Sequence, residues 1–219
     1  MFEILDVEKL MKAPLHTEYF PYCVVDCFIK KTALQKVLNH FPPIEVKGSI
    51  PAFKLRYADF FQKFIDELQS DELRAIIAQK FSIDLSLSPT MLTIRGQTDG
   101  SDGKIHTDTP TKLMTLLLYL NEDWQEKSGN LRLLRNNVDL ENYFEEVIPS
   151  AGKLLVFKVT DNCWHGHHSF VGKRRALQLN YVTDHKIVNQ EMKKHAFSYS
   201  LKQLIYKIRH LGNEKNIIG

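Results

Sequence analysis

The stretch that decides the fold runs from Lys104 to Tyr119, Lys-Ile-His-Thr-Asp-Thr-Pro-Thr-Lys-Leu-Met-Thr-Leu-Leu-Leu-Tyr. His106 and Asp108 stand near its start with one residue between them. On a β-strand, side chains alternate between faces, so the two groups project the same way. An imidazole and a carboxylate on one face supply two of the three ligands of a 2-His-1-carboxylate metal site. A facial triad needs a second strand to close it. The cluster Trp164-His165-Gly166-His167-His168 offers three candidates for that third ligand. A His-x-Asp pair alone fits a hydrogen-bonded couple on a surface strand better than a metal site, so its surroundings carry the decision.

Working outward, the chain has 219 residues, 43% apolar and 25% charged, which is ordinary for one globular domain with a sizeable core. The net charge of +3 does not by itself point to nucleic acid. No apolar run approaches the roughly 20 residues of a membrane span. The opening Met-Phe-Glu-Ile-Leu-Asp-Val-Glu carries acids where a signal peptide has basic residues, so the expectation is a cytoplasmic protein without membrane attachment. Cys23, Cys27 and Cys163 are too few and too unevenly placed for a disulfide framework. On a shared strand Cys23 and Cys27 would lie about 13 Å apart, beyond disulfide reach, and both are expected as buried free thiols. Cys163 is expected in the core beside the histidines, not as a ligand.

The first 88 residues read as mostly helical support. Aromatic and β-branched residues after Pro21 predict a strand. Leu34, Val37, Leu38 and Phe41 have the spacing of one helix face, ended by Pro42 and Pro43. Phe61, Phe64, Ile65 and Leu68 predict a second helix from Ala58. Ser70 is placed to cap a third, with Asp71 and Glu72 at its positive end and Leu73, Ile76, Ile77 and Phe81 as its buried face. After Pro89 short strands follow one another: Met91 to Gln97, the His106 strand with the run Leu113 to Leu120, Leu131 to Arg135, Lys153 to Val159, and 174–182. Thr98 to Gly103 reads as a flexible turn cluster, and Asp139 to Val147 as a short helix or an excursion. The strand spacing suggests a jelly roll over 89–183. Ser200 to Leu211 predicts a C-terminal helix within 184–219, with Leu201, Leu204, Ile205, Ile208 and Leu211 on its packed face and Gly212 as its cap.

The last strand is the second informative stretch. Arg174, Ala176, Gln178 and Asn180 share one face, and Arg175, Leu177, Leu179 and Tyr181 the other. The apolar face should pack on helices. The polar face should line a pocket, because buried polar groups need partners, and it begins with an arginine, the side chain that grips a carboxylate in a bidentate fork. If Thr115, Leu117 and Tyr119 point inward, Tyr119 brings a hydroxyl to pocket depth. Arg95 is placed either at the pocket mouth or on the surface.

These motifs, in this order, resemble the iron(II)- and 2-oxoglutarate-dependent oxygenases, in particular their prolyl 4-hydroxylase-like branch. The resemblance rests on His106-Thr-Asp108, Leu118-Tyr119-Leu120-Asn121, Gly129-Asn130-Leu131, Gly152-Lys-Leu-Leu-Val-Phe157, His165, and Arg174 nine positions later, and it covers about 89–183. Two departures stand out: Asn130 replaces a family glycine, and three histidines crowd the distal position. The resemblance implies an α+β chain with a double-stranded β-helix (jelly-roll, cupin-like) core and flanking N- and C-terminal helices. It implies a dioxygenase using Fe(II), 2-oxoglutarate and molecular oxygen, with ascorbate as a possible reductant, that hydroxylates a small molecule, sugar or protein side chain and releases succinate and CO2. His106, Asp108 and His165 become the iron ligands, and Arg174 the anchor of the distal carboxylate with Tyr119 assisting. His167 is the rival of His165 by parity; otherwise His167 and His168 fall to the substrate pocket or to support of the ligands. The Asp108 carboxylate argues against halogenation. Two other readings stand beside this one: a non-catalytic jelly-roll binder of a metal or sugar acid, and a nucleic-acid oxygenase docked through the basic C-terminal helix.

Overall fold

The structure is a computed structural model that describes residues 2–214, with side chains to residue 208. Its N-terminal part holds helices α1 (Val7–Lys12), α2 (Lys31–Asn39), α3 (Asp59–Leu68) and α4 (Asp71–Phe81), with strands β1 (Tyr22–Val25) and β2 (Ile50–Pro51) between them. Then come β3 (Thr90–Thr98), β4 (Lys112–Tyr119), β5 (Leu131–Leu134), β6 (Tyr143–Val147), β7 (Leu154–Lys158), β8 (His165–Gly166) and β9 (Gly172–Val182). The chain closes on a long helix, α5 (His185–Glu214). The strands form two antiparallel sheets, β1-β7-β4-β9-β3-β2 and β6-β5-β8. Together they make a double-stranded β-helix with helices flanking the larger sheet.

The helices form where the apolar spacing places them. On α3, Phe61, Phe64, Ile65 and Leu68 are all buried. Ser70 caps α4, its hydroxyl accepting the Leu73 N–H at 3.2 Å. These faces meet Leu92, Ile94, Leu116, Leu118, Leu177, Leu179 and Tyr181 from the outer face of the large sheet in one apolar layer. Each buried Phe or Leu there contributes about 1.5–3 kcal/mol. A smaller cluster, including Phe20, Tyr22, Leu133, Leu155, Phe157 and Cys163, fills the closed end between the sheets. The polar face of β9 is left toward the interior, so alternation along one strand separates the packed layer from the cavity.

Four expectations need correction. His106 and Asp108 do not sit on a regular strand: His106 makes one isolated bridge, to His165, and β4 begins only at Lys112. Tyr143 to Val147 is a strand paired with β5, not a helix or an excursion. Cys27 is exposed, because the chain leaves β1 at Val25 and Cys27 takes a left-handed turn conformation at φ 53°. The final helix begins fifteen residues before Ser200 and runs through Gly212, so that glycine does not cap it. Its first half packs on β2, β3 and β9, but Leu201, Leu204, Ile205 and Ile208 face outward, 41–61% exposed. The Leu211 side chain lies outside the described residues.

Candidate functional site

The cavity between the sheets has a volume of about 180 Å³, and Ser49, Arg95 and Asp102 are among its lining residues. Its metal-ligating corner is built by a backbone device. The His106 N–H donates to the His165 carbonyl at 3.0 Å, and the His165 N–H returns the bond to His106 at 2.9 Å. This two-way bridge sets the imidazoles 4.3 Å apart, centre to centre. Each Nδ1 lies 2.8 Å from a carbonyl two residues upstream, Lys104 for His106 and Cys163 for His165. A carbonyl can only accept, so each Nδ1 carries the proton and each Nε2 keeps its lone pair for a metal. Ligand atoms of His106, Asp108 and His165 lie within 4.8 Å of one another.

Charge suits a cation here. Burial of Asp108 works against its carboxylate. The Lys112 ammonium, His165, and hydrogen bonds from Lys112 at 2.6 Å and Thr115 at 2.5 Å outweigh it and hold the group below its ordinary value. Burial first, and then the neighbouring His106, pushes His165 down to about 4. An ionised carboxylate beside neutral imidazole is the protonation state that divalent metals require.

At the other end of the cavity Arg174 is 6% exposed. Its Nε donates to the Gly129 carbonyl at 2.9 Å, and its guanidinium lies 5.2 Å from the centre of the Tyr119 ring. Gly129 turns with φ +84°, and a Cβ there would meet Trp124 at 3.0 Å and Phe170 at 3.1 Å. Among the described residues, Arg174 Nη2 and Tyr119 Oη make no well-formed hydrogen bond, only a loose contact between the two side chains. A desolvated guanidinium with an idle N–H beside an idle hydroxyl is costly alone and well met by a carboxylate.

The other candidate residues fall into place around this axis. Arg175 points away from the cavity, over the Phe41 ring at 4.9 Å. His167 lines the cavity but stands outside the three-residue cluster, its Nδ1 2.8 Å from the His168 carbonyl. His168 sits on the surface at 2.6 Å from Glu141. Arg95 lines the cavity, paired with Asp102 at 2.7 Å and bonded to Ser49 at 3.2 Å. Cys163 is core, as expected. Asn130, in place of a family glycine, accepts the Trp124 indole N–H at 3.0 Å. Sequence reasoning missed Lys112, because a four-residue spacing signals a pair only on a helix, and Asp102, which lay in a turn read only as a connection.

One cavity of this double-stranded β-helix thus holds both a His-Asp-His corner and a buried arginine. Residues 92–182 match the 2OG-Fe(II) oxygenase superfamily. The matched segment holds the cavity's His106, Asp108, His165 and Arg174, and the chain has prolyl 4-hydroxylase-like architecture. A Pseudomonas putida prolyl-4-hydroxylase is 19% identical with a TM-score of 0.51, covering 80% of this chain and 90% of its own. A Phytophthora capsici prolyl 4-hydroxylase is 19% identical with a TM-score of 0.53, covering 86% and 68%. A Trichoplax adhaerens prolyl hydroxylase, solved with a hypoxia-inducible-factor peptide, is 20% identical with a TM-score of 0.50, covering 77% and 86%. At these identities the likeness is one of fold. No curated protein matches the chain in sequence. The family implies Fe(II) and 2-oxoglutarate, and it supports an oxygenase.

Proposed function

We propose that the protein is an Fe(II)- and 2-oxoglutarate-dependent dioxygenase that hydroxylates its substrate with release of succinate and CO2. The observation that carries this reading is the idle pair Arg174 Nη2 and Tyr119 Oη, in the same cavity as the His106, Asp108 and His165 cluster. One end offers three metal ligands and the other an unmatched cation, which is the pattern an α-keto dicarboxylate requires. In this reading residues 89–183 form the catalytic core, 1–88 support it, and 184–219 make the C-terminal helix.

The residues divide the work. His106, Asp108 and His165 would hold the iron. Arg174 receives the distal carboxylate of 2-oxoglutarate through its guanidinium, and the Tyr119 hydroxyl donates a further hydrogen bond. Leu117, Leu131 and Ala176 line the path between and exclude water. Arg95, Asp102 and His167 line the same cavity and would meet the substrate there. Bound iron and cosubstrate supply the oxidising chemistry, and the protein supplies position and dryness. The substrate classes that fit are a small molecule, a sugar or a protein side chain; the Trichoplax neighbour takes a peptide.

The test is succinate formation from 2-oxoglutarate by purified protein with Fe(II) and ascorbate, together with metal retention in variants. His165→Ala is expected to lower metal affinity by more than about 100-fold, beyond the range typical of residues that only support a ligand, whereas His167→Ala retains metal. Loss of metal in His167→Ala instead would move the distal ligand to that residue. No succinate across a broad substrate panel would favour the non-catalytic binder.

A further inference from the structure

Asp108 is held by more than a ligand needs. Thr115 Oγ1 donates to Oδ2 at 2.5 Å, and Lys112 Nζ to Oδ1 at 2.6 Å. The Thr115 bond has a fixed direction. Thr115 lies opposite Asn180 in the β4–β9 register. The Asn180 amide nitrogen donates to Thr115 Oγ1 at 2.8 Å, and its amide oxygen accepts from Gln178 at 3.2 Å. An ionised carboxylate only accepts, so the single Thr115 proton points at Asp108. Oδ2 is therefore tied to the sheet through three side chains. Oδ1 is shared with an ammonium that is only 17% exposed.

We infer that Lys112 is a built-in cation that competes with the metal for Asp108, while Thr115 is the positioning residue that aims the carboxylate. This rests on the metal-site reading above. Without metal, the ammonium satisfies a buried carboxylate that would otherwise be stranded. With metal, the same ammonium is a like charge beside the ion, in a setting where screening is weak. Lys112 has a second acid to turn toward. It borders a neighbouring chamber of about 160 Å³ whose wall includes Glu191 of α5, a carboxylate held below its ordinary value by the hydrogen bond and pairing with Lys194, then by His195, and least by the Lys112 charge. Lys112 thus weakens the site while keeping it assembled. Its charge also opposes a trivalent ion more than a divalent one, which favours ferrous over ferric iron.

The two roles predict opposite signs. Mn(II) and Co(II) affinity is measured by calorimetry, and the midpoint potential on iron-loaded protein. Lys112→Met, which keeps the bulk and removes the charge, should tighten both metals by about tenfold and lower the potential. Lys112→Arg should stay near wild type. Thr115→Val should weaken binding by about 10–100-fold and change the Co(II) visible spectrum, and Thr115→Ser should restore both. A wild type that binds no metal, or binds it independently of His106, overturns the metal-site reading and this inference with it. Wild-type binding through His106 with Lys112→Met unchanged or weaker overturns this inference alone. Thermal melts of each variant separate loss of fold from loss of metal.

Discussion

Tyr119 and Tyr181 form an instructive pair. Both are buried, and among the described residues neither hydroxyl makes a well-formed hydrogen bond, only a loose contact with a neighbouring arginine. Each lies near an arginine: Arg174 is 5.2 Å from the Tyr119 ring and Arg74 5.8 Å from the Tyr181 ring. Tyr181, however, sits in the packed layer between β9 and the helices, and Tyr119 lines the cavity. An idle polar atom marks a ligand site only where there is room for the ligand. The two faces of the large sheet differ in the same way. One spends its side chains on packing, and the other holds polar groups in reserve for something that arrives.

The largest expected effect tests whether these faces are independent. Phe64 is fully buried in the helical layer. Phe64→Ala should cost about 3–5 kcal/mol of stability in denaturant unfolding. The folded fraction should still bind 2-oxoglutarate with near wild-type affinity. A large affinity loss in that fraction would show that the packed layer sets the cavity geometry, and the comparison would fail.

Arg174 and Arg175 sharpen it next, since adjacent residues on opposite faces differ in little else. Arg174→Ala should weaken 2-oxoglutarate binding by about 2–5 kcal/mol, roughly 30-fold and upward, with metal binding retained. Arg175→Ala loses a stacking contact on Phe41 and should leave the cosubstrate requirement close to wild type. Equal effects in a succinate assay would sink the assignment of Arg174.

Much of this division is visible in the sequence, for identifiable reasons. The alternation of Arg174, Gln178 and Asn180 with Leu177, Leu179 and Tyr181 is a period-two pattern, and it predicts both faces. Ser70 followed by Asp71 and Glu72 is a local cap signal and needs no tertiary knowledge. β6 escaped because its burial is only partial along most of its length, so Tyr143 to Val147 shows no clean alternation. The start of α5 escaped because its signal is a single side chain: the Asp184 carboxylate accepts the N–H groups of Lys186 and Ile187. Its outward apolar stripe shows the limit of periodicity. Spacing says which side chains share a face but not whether anything covers it. The site was legible in part. Parity brought out His106 and Asp108, but it is the long-range bridge from His106 to His165 that joins the corner, without a regular strand under either Asp108 or His106.

Alkaline titration probes the packed tyrosine. Burial pushes Tyr181 up to about 12, with the Arg74 charge working the other way. The folded state therefore keeps the phenol neutral while the unfolded chain ionises it near 10. The sign follows from linkage: this contribution is fully present below about pH 10 and is lost as pH rises through 12. Melting temperature should fall across that window, and Tyr181→Phe should make the fall shallower. An unchanged slope would mean that Tyr181 is more open to water than the packed layer allows.

The smallest effect separates the two tyrosines most directly. Removing a buried hydroxyl that has only a loose contact with an arginine removes a desolvation cost, so Tyr119→Phe and Tyr181→Phe should each leave the stability of the ligand-free protein near pH 7 unchanged or slightly raised. Their ligand binding should differ. The Tyr119 hydroxyl gains a charged acceptor only when 2-oxoglutarate is present, and such a bond contributes about 1.5–3 kcal/mol. Tyr119→Phe should therefore weaken 2-oxoglutarate binding by roughly tenfold or more while keeping metal affinity, and Tyr181→Phe should not change it. The measurement is calorimetric titration of 2-oxoglutarate into each metal-loaded variant, with a melt of the ligand-free form beside it. If Tyr119→Phe destabilises the ligand-free protein and binds 2-oxoglutarate normally, the hydroxyl serves packing, and the cavity face is no more held in reserve than the packed one.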